Sequence, residues 1–207
     1  MDKIFYFCLF YILVAKPVLA DPNWEYWSEY SVDIPVNDGI DFVAKAQFRF
    51  EGDGCYYFKV YLGQLFRVSE YFTIATYYVF RTKKAEQGWS DEDFGNLDAT
   101  VKWKIGDFSF SDRNRFERNF SKGESLYRNK IKVKKPTQIR TWKIVPFIAS
   151  EIFYDFNEFS ENRTHLGIST VLIDGVEVEL SYILRSKKQS EWSRANVLVT
   201  SLKYSFR

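Results

Sequence analysis

The sequence predicts an all-β fold, an antiparallel transmembrane β-barrel of ten to twelve strands. Three observations predict it. Apolar and aromatic residues alternate with polar ones along nearly the whole chain after residue 20, no segment there is long and apolar enough for a spanning helix, and the connections between runs sort by length. The composition agrees: 20 Phe, 14 Tyr and 6 Trp among 207 residues coexist with a mean hydropathy of -0.31, because 27% of residues are charged. Such aromatic abundance excludes a disordered chain. The balance of 29 Lys and Arg against 27 Asp and Glu leaves a charge of only +2, too small a basic field for nucleic-acid binding.

Residues 1–20 read as a secretory signal peptide. Lys3 precedes an apolar run from Ile4 to Val14, and Val18-Leu19-Ala20 places small residues around a cleavage point expected before Asp21. The run is shorter than the roughly 20 residues of a spanning helix, so an uncleaved anchor is disfavoured. Cys8 follows Phe5-Tyr6-Phe7 rather than the small residues of a lipoprotein signal. The remaining chain, residues 21–207, is expected to form one barrel domain. Its single cysteine, Cys55, excludes an intrachain disulfide framework and a cysteine-based metal site.

Along that domain Trp24, Tyr26, Tyr30, Val32 and Ile34 share a face opposite Glu25, Glu29 and Asp33. Phe42, Ala44, Ala46, Phe48 and Phe50 oppose Lys45, Gln47, Arg49 and Glu51. The runs Cys55–Val68 and Tyr71–Thr82 alternate in the same way. Leu97, Ala99, Val101, Trp103 and Ile105 oppose Asp98, Lys102 and Lys104; Phe108, Phe110 and Phe116 oppose Arg113, Arg115 and Glu117; Tyr127, Ile131 and Val133 oppose Arg128, Lys130 and Lys132. Four further runs follow, Trp142–Phe156, Glu161–Leu172, Glu177–Lys187 and Arg194–Phe206. This gives eleven strands and no helix. Single-chain bacterial barrels carry an even number, which predicts one strand split or missed near the N-terminus.

Tight turns at Asn37-Asp38-Gly39, Ser69-Glu70, Gly106-Asp107, Pro136–Ile139 and Asp174-Gly175 alternate with mostly longer connections at Thr82–Asn96, Asn119–Glu124, Asp155–Ser160 and Lys187–Ser193. Gly52-Asp53-Gly54 is the short exception. Short turns at one rim and long loops at the other is the pattern of an outer-membrane barrel. Its outer face must be apolar and its lumen can be charged. Trp24, Trp103, Trp142 and Tyr204 suit aromatic girdles at the interfaces. A soluble calyx with its apolar face inside is the alternative, but it would have to pack most of the aromatic residues into a small interior.

The run Arg113-Asn114-Arg115-Phe116-Glu117-Arg118, then Tyr127-Arg128-Asn129-Lys130, Pro146–Tyr154, Arg163-Thr164-His165-Leu166-Gly167 and a terminal Leu202–Phe206 resemble the uncharacterised outer-membrane family called domain of unknown function 2490. Arg207 departs from a chain end on an aromatic residue. The resemblance implies an outer-membrane barrel of a Gram-negative bacterium and no known reaction.

The residues that carry chemistry are expected in the lumen. Arg113, Arg115, Glu117, Arg128, Lys130, Lys132, Glu151 and Arg163 form a candidate charge ladder. A hairpin centred near Lys122 would set Glu117 opposite Arg128, and Glu151 would pair with Arg163 or His165. Such a ladder holds register and seals a narrow barrel; read functionally, it prefers anions or small acidic solutes. His165 is the one histidine and a weak catalytic candidate, because Ser169 on the same strand lies about 13 Å away by strand rise. A serine from another strand, Ser111 or Ser181, would be needed for a deacylase- or phospholipase-type lipid-modifying enzyme, the alternative function. Asp91-Glu92-Asp93 reads as a solvated loop rather than a calcium site. No cofactor or metal is expected. The expected partners are outer-membrane lipids and the barrel-assembly machinery, not nucleic acid.

Overall fold

In a computed structural model the chain is described over residues 24–52, 54–139, 142–188 and 191–206; the expected signal peptide lies outside these residues. The elements are β1 (Trp24–Asn37), β2 (Ile40–Glu51), β3 (Gly54–Arg67), β4 (Phe72–Ala85), β5 (Gly88–Ile105), β6 (Phe108–Asn119), β7 (Ser125–Lys134), β8 (Thr137–Ile139), β9 (Trp142–Tyr154), β10 (Phe159–Ile173), β11 (Val176–Lys188) and β12 (Trp192–Ser205). β8 is a three-residue strand that pairs with β9 alone. The other eleven form a closed ring, because β9 pairs with β10 and β12 returns to β1.

Ten contacts in the ring are antiparallel and the closing one is parallel, running from Trp24 opposite Asn196 to Asp33 opposite Ser205. The parallel seam is a consequence of the odd number. In a meander that reverses at every connection, the eleventh strand runs the same way as the first. Among the described residues the eleven runs counted in the sequence account for the whole ring, and no ring strand is split. Among the described residues, closure leaves no edge strand within the eleven-stranded ring.

Three connections differ from expectation; in the first, Pro136–Ile139, the strand β8 stands where a tight turn was expected, because Thr137–Ile139 extend the ladder on β9. Thr82–Asn96 is ladder rather than loop: β4 and β5 pair up to Ala85 opposite Gly88, and Gly88 adopts the positive φ (117°) that the tight turn requires. Asp91-Glu92-Asp93 accordingly lies within β5, where Glu92 points inward and is buried. Loop lengths at the two rims therefore differ less than the sequence suggests. Between β6 and β7 the ladder ends with Arg118 opposite Ser125, one residue to the N-terminal side of the expected centre. Asn119 sets this register, as its backbone N–H donates to the carbonyl of Glu124, its carbonyl accepts from Gly123 and its side chain accepts from the Lys122 N–H.

Burial follows the period of two, with polarity inverted relative to a water-soluble protein. Inward residues include Lys59, Asp98, Arg115, Glu117, Glu151 and Arg163, all buried, whereas outward Leu62, Tyr78, Leu97, Ile131, Ile148 and Leu166 are open to the surroundings. Part of the interior is nonetheless apolar. Val43, Ala75, Tyr77, Val79 and Phe94 pack together inside β2, β4 and β5, and Trp27, Ile183, Val197 and Val199 pack inside β1, β11 and β12. Outside, Trp103 stacks on Phe110 and Tyr204 meets Phe206 edge-on near the rim where the chain ends. Tyr154 contacts Phe156 and Phe159 near the other rim.

Candidate functional site

The inward parity of β6, β7, β9 and β10 converges on Glu151. Its Oε1 accepts from Arg113 Nη2 at 2.7 Å and Arg128 Nη2 at 2.8 Å, while Oε2 lies 3.8 Å from Arg163 Nη1 and 3.6 Å from His165 Nε2. Glu151 stands directly opposite Arg163 in the β9–β10 ladder. With 2% of its surface exposed, this carboxylate has lost its water and depends on the three guanidinium groups.

A second knot lies on the β5–β6 side. Arg115 binds Asp98 through a two-nitrogen fork, Nε–Oδ1 at 2.5 Å and Nη2–Oδ2 at 2.6 Å, and Glu117 accepts from Arg128 Nη1 at 2.6 Å. Arg128 thereby links the two knots. Nearer the rim that holds Trp24, Glu92 is bound by Arg81, Lys122 and Asn119, and Glu25 accepts from Trp27, Tyr56 and Arg185. Toward the opposite rim Lys132 pairs with Glu179 at 2.7 Å and Lys203 with Asp33 at 2.5 Å.

All eight residues of the expected charge ladder line the lumen. Glu117 and Arg128 do form an ion pair, but diagonally, since the register sets Arg115 opposite Arg128 and Leu126 opposite Glu117. Several lumen residues escaped the sequence reading. Trp27 is the chief one, an aromatic residue on the parity of Glu25 and Glu29. That breach of the alternation is the signal by which it could have been found.

Trp27 is the middle of an alternating stack of cations and rings that crosses the interior. Arg49 lies over Trp27 and Tyr57 at 3.8 and 4.1 Å from the ring centroids, Arg163 over Trp27 and Phe153 at 4.9 and 4.4 Å, and Arg128 over Phe153 at 4.5 Å. Guanidinium planes lying on ring faces are attracted by the ring quadrupole, more strongly where water is excluded. Arg49, Arg128 and Arg163 of the stack line both the vestibule at the Trp24 rim and an inner chamber of about 260 Å³.

His165 faces that chamber, with Nδ1 at 3.5 Å from Lys130 Nζ. Ser169 and Ser181 are buried on the same side of the sheet, but among the described residues no serine hydroxyl hydrogen-bonds to either ring nitrogen. Nor do the described residues contain a cluster of three or more His, Cys, Asp or Glu side chains arranged to hold a metal.

No curated protein matches the chain. A family model does match residues 24–196, every strand through β11 and the start of β12, and with the closed barrel and its inward charge network in view the chain belongs to the family described as protein of unknown function DUF2490.

Proposed function

We propose that this barrel spans an outer membrane as a narrow, largely filled structural protein whose cationic lumen gives at most a slight preference for anions. The observation that carries the reading is the inversion of burial, apolar side chains outward and Arg, Lys, Asp and Glu inward. Turned toward lipid, Arg113, Arg115, Arg128, Lys130 and Lys132 would each cost about 2 to 4 kcal/mol near the midplane. Turned inward, they meet carboxylates or rings. In water the same barrel would expose a continuous apolar belt far larger than soluble monomers carry. The aromatic residues near both rims suit the two membrane interfaces. The two apolar clusters and the arginine–aromatic stack fill much of the cross-section, which favours little conductance over an open channel.

The test is fractionation of expressing cells combined with heat-modifiable mobility on gels. The expected result is protein in the outer-membrane fraction that migrates differently before and after boiling. Recovery of the folded protein in the soluble periplasm overturns the reading.

A further inference from the structure

We infer that the inner chamber is a binding site for a small oxyanion of the phosphate class. The inference deepens the proposed function, since it concerns the same lumen.

Eight cationic side chains and three carboxylates line the chamber. The three carboxylates are already engaged: Glu151 by its four neighbours, Glu179 by Lys132, and Glu29 by Gln47 and Ser201. Several of the cations are not. Lys45 Nζ donates only to the Tyr77 hydroxyl, at 3.2 Å, and lies over its ring; Lys130 Nζ meets only His165. Arg49 gives its Nε and Nη2 protons to the amide oxygen of Gln47 rather than to an acid. Among the described residues none of these three has a carboxylate ion-pair partner. Arg113 pairs with Glu151 through Nη2 while its buried Nε has no partner.

Lys45 projects from β2, whereas Arg113 and Lys130 stand opposite one another on β6 and β7. Positive charge thus converges on one space from separate walls. Like charges that face one space without counter-ions repel one another, and a multiply charged anion between them offsets that repulsion. Two ammonium groups and a guanidinium supply the point charges and the N–H donors that a tetrahedral oxyanion accepts. At about 30 Å³ of liquid volume per water, a chamber of about 260 Å³ has room for one phosphate and several waters, but not for a lipid headgroup with its chains.

The test is calorimetric titration of the full barrel, folded in detergent micelles, with inorganic phosphate, and with chloride and acetate at matched ionic strength. The expected result is saturable phosphate binding near one per chain, at least tenfold weaker in the Lys45→Met, Lys130→Met double variant and within twofold of the parent in Lys104→Met, whose side chain lies outside the chamber. Absence of saturable phosphate binding by the parent, equal affinity of the double variant, or equal affinity for chloride overturns the inference. Should the double variant not fold, the thermal midpoint of the parent decides: a rise with phosphate but not with chloride supports the site, and equal midpoints overturn it. The two readings fail separately. A barrel that fractionates with the outer membrane but ignores phosphate defeats only this inference, and a soluble protein that binds phosphate defeats only the membrane assignment.

Discussion

Glu117 and Arg128 are joined by a 2.6 Å ion pair although the β6–β7 ladder places Arg128 opposite Arg115. Two like charges therefore face each other across the strands, and Glu117, also 3.5 Å from Arg115 Nη1, lies two residues along β6 from Arg115 and diagonal to Arg128. Like charges directly opposite destabilise a sheet unless a third group offsets them.

Replacing Glu117 by Gln is expected to loosen the barrel modestly, because Arg115 keeps Asp98 and Arg128 keeps Glu151. Denaturant midpoints in micelles measure the loss. Planar-bilayer recordings of the same variant should show little conductance with a slight increase in anion preference. A large, cation-selective conductance would contradict both the inward charge assignment and the filled lumen.

Glu151→Gln should be far more damaging. It removes the carboxylate shared by Arg113, Arg128, Arg163 and His165, and breaking a buried ionic network of this kind costs about 3 to 5 kcal/mol. The comparison of unfolding midpoints with Glu117→Gln is the measurement. Equal or smaller damage at Glu151 would mean that it is not the hub of the lumen.

The parallel seam gives a cross-linking prediction. Ser201 Oγ donates to Glu29 Oε2 at 3.2 Å across β1 and β12, and the two residues are paired in register. With Cys55 changed to Ser, the double variant Glu29→Cys, Ser201→Cys should form a disulfide under mild oxidation, visible as a shift on non-reducing gels. A Glu29→Cys, Lys203→Cys pair, on the same lumen face but two residues out of register, should form it poorly. The reverse preference would exclude this closure.

Deleting Tyr204–Arg207 is expected to prevent assembly. The segment holds two strands together at the rim, since the Ser205 N–H donates to the Gly175 carbonyl and the Phe206 N–H to the Asp33 carbonyl. Folded yield equal to that of the full chain, judged by heat-modifiable mobility, would refute this.

The loop after β9 should respond to acid. The Asp155 carboxylate accepts from the backbone N–H groups of Glu158 at 2.9 Å and Asn157 at 3.0 Å, and these bonds, that of Glu158 foremost, hold its carboxyl below the usual range. A depressed pKa contributes stability above the ordinary carboxylate value, lost as the pH falls through the lowered one. Amide exchange of Asn157 and Glu158, corrected for intrinsic rates, should therefore become less protected between pH 6 and about 3. Asp155→Ala should show the unprotected behaviour throughout. Unchanged protection in that variant would exclude the turn as its cause.

The face that each residue occupies was legible because a strand's side-chain period is local. Phe108, Phe116 and Ile131 were separable from Arg113, Arg115 and Lys130 without knowing any partner strand. The strand count was equally legible, and it was the general preference for even numbers that misled. The long connection assigned to Thr82–Asn96 failed for another reason. Its polar residues are strand residues facing a polar lumen, so polarity there does not mark a loop.

From sequence alone, then, the chain determines that it forms strands and which side chains face in, since both follow from interactions within a few residues. Tertiary structure alone decides that β12 closes on β1 in parallel, that Glu117 reaches Arg128 diagonally, and that Trp27 meets Arg163 from strands far apart in the chain. These depend on turn geometry and on position around the ring. A shift of two residues in one hairpin keeps every side chain on its face while changing every partner.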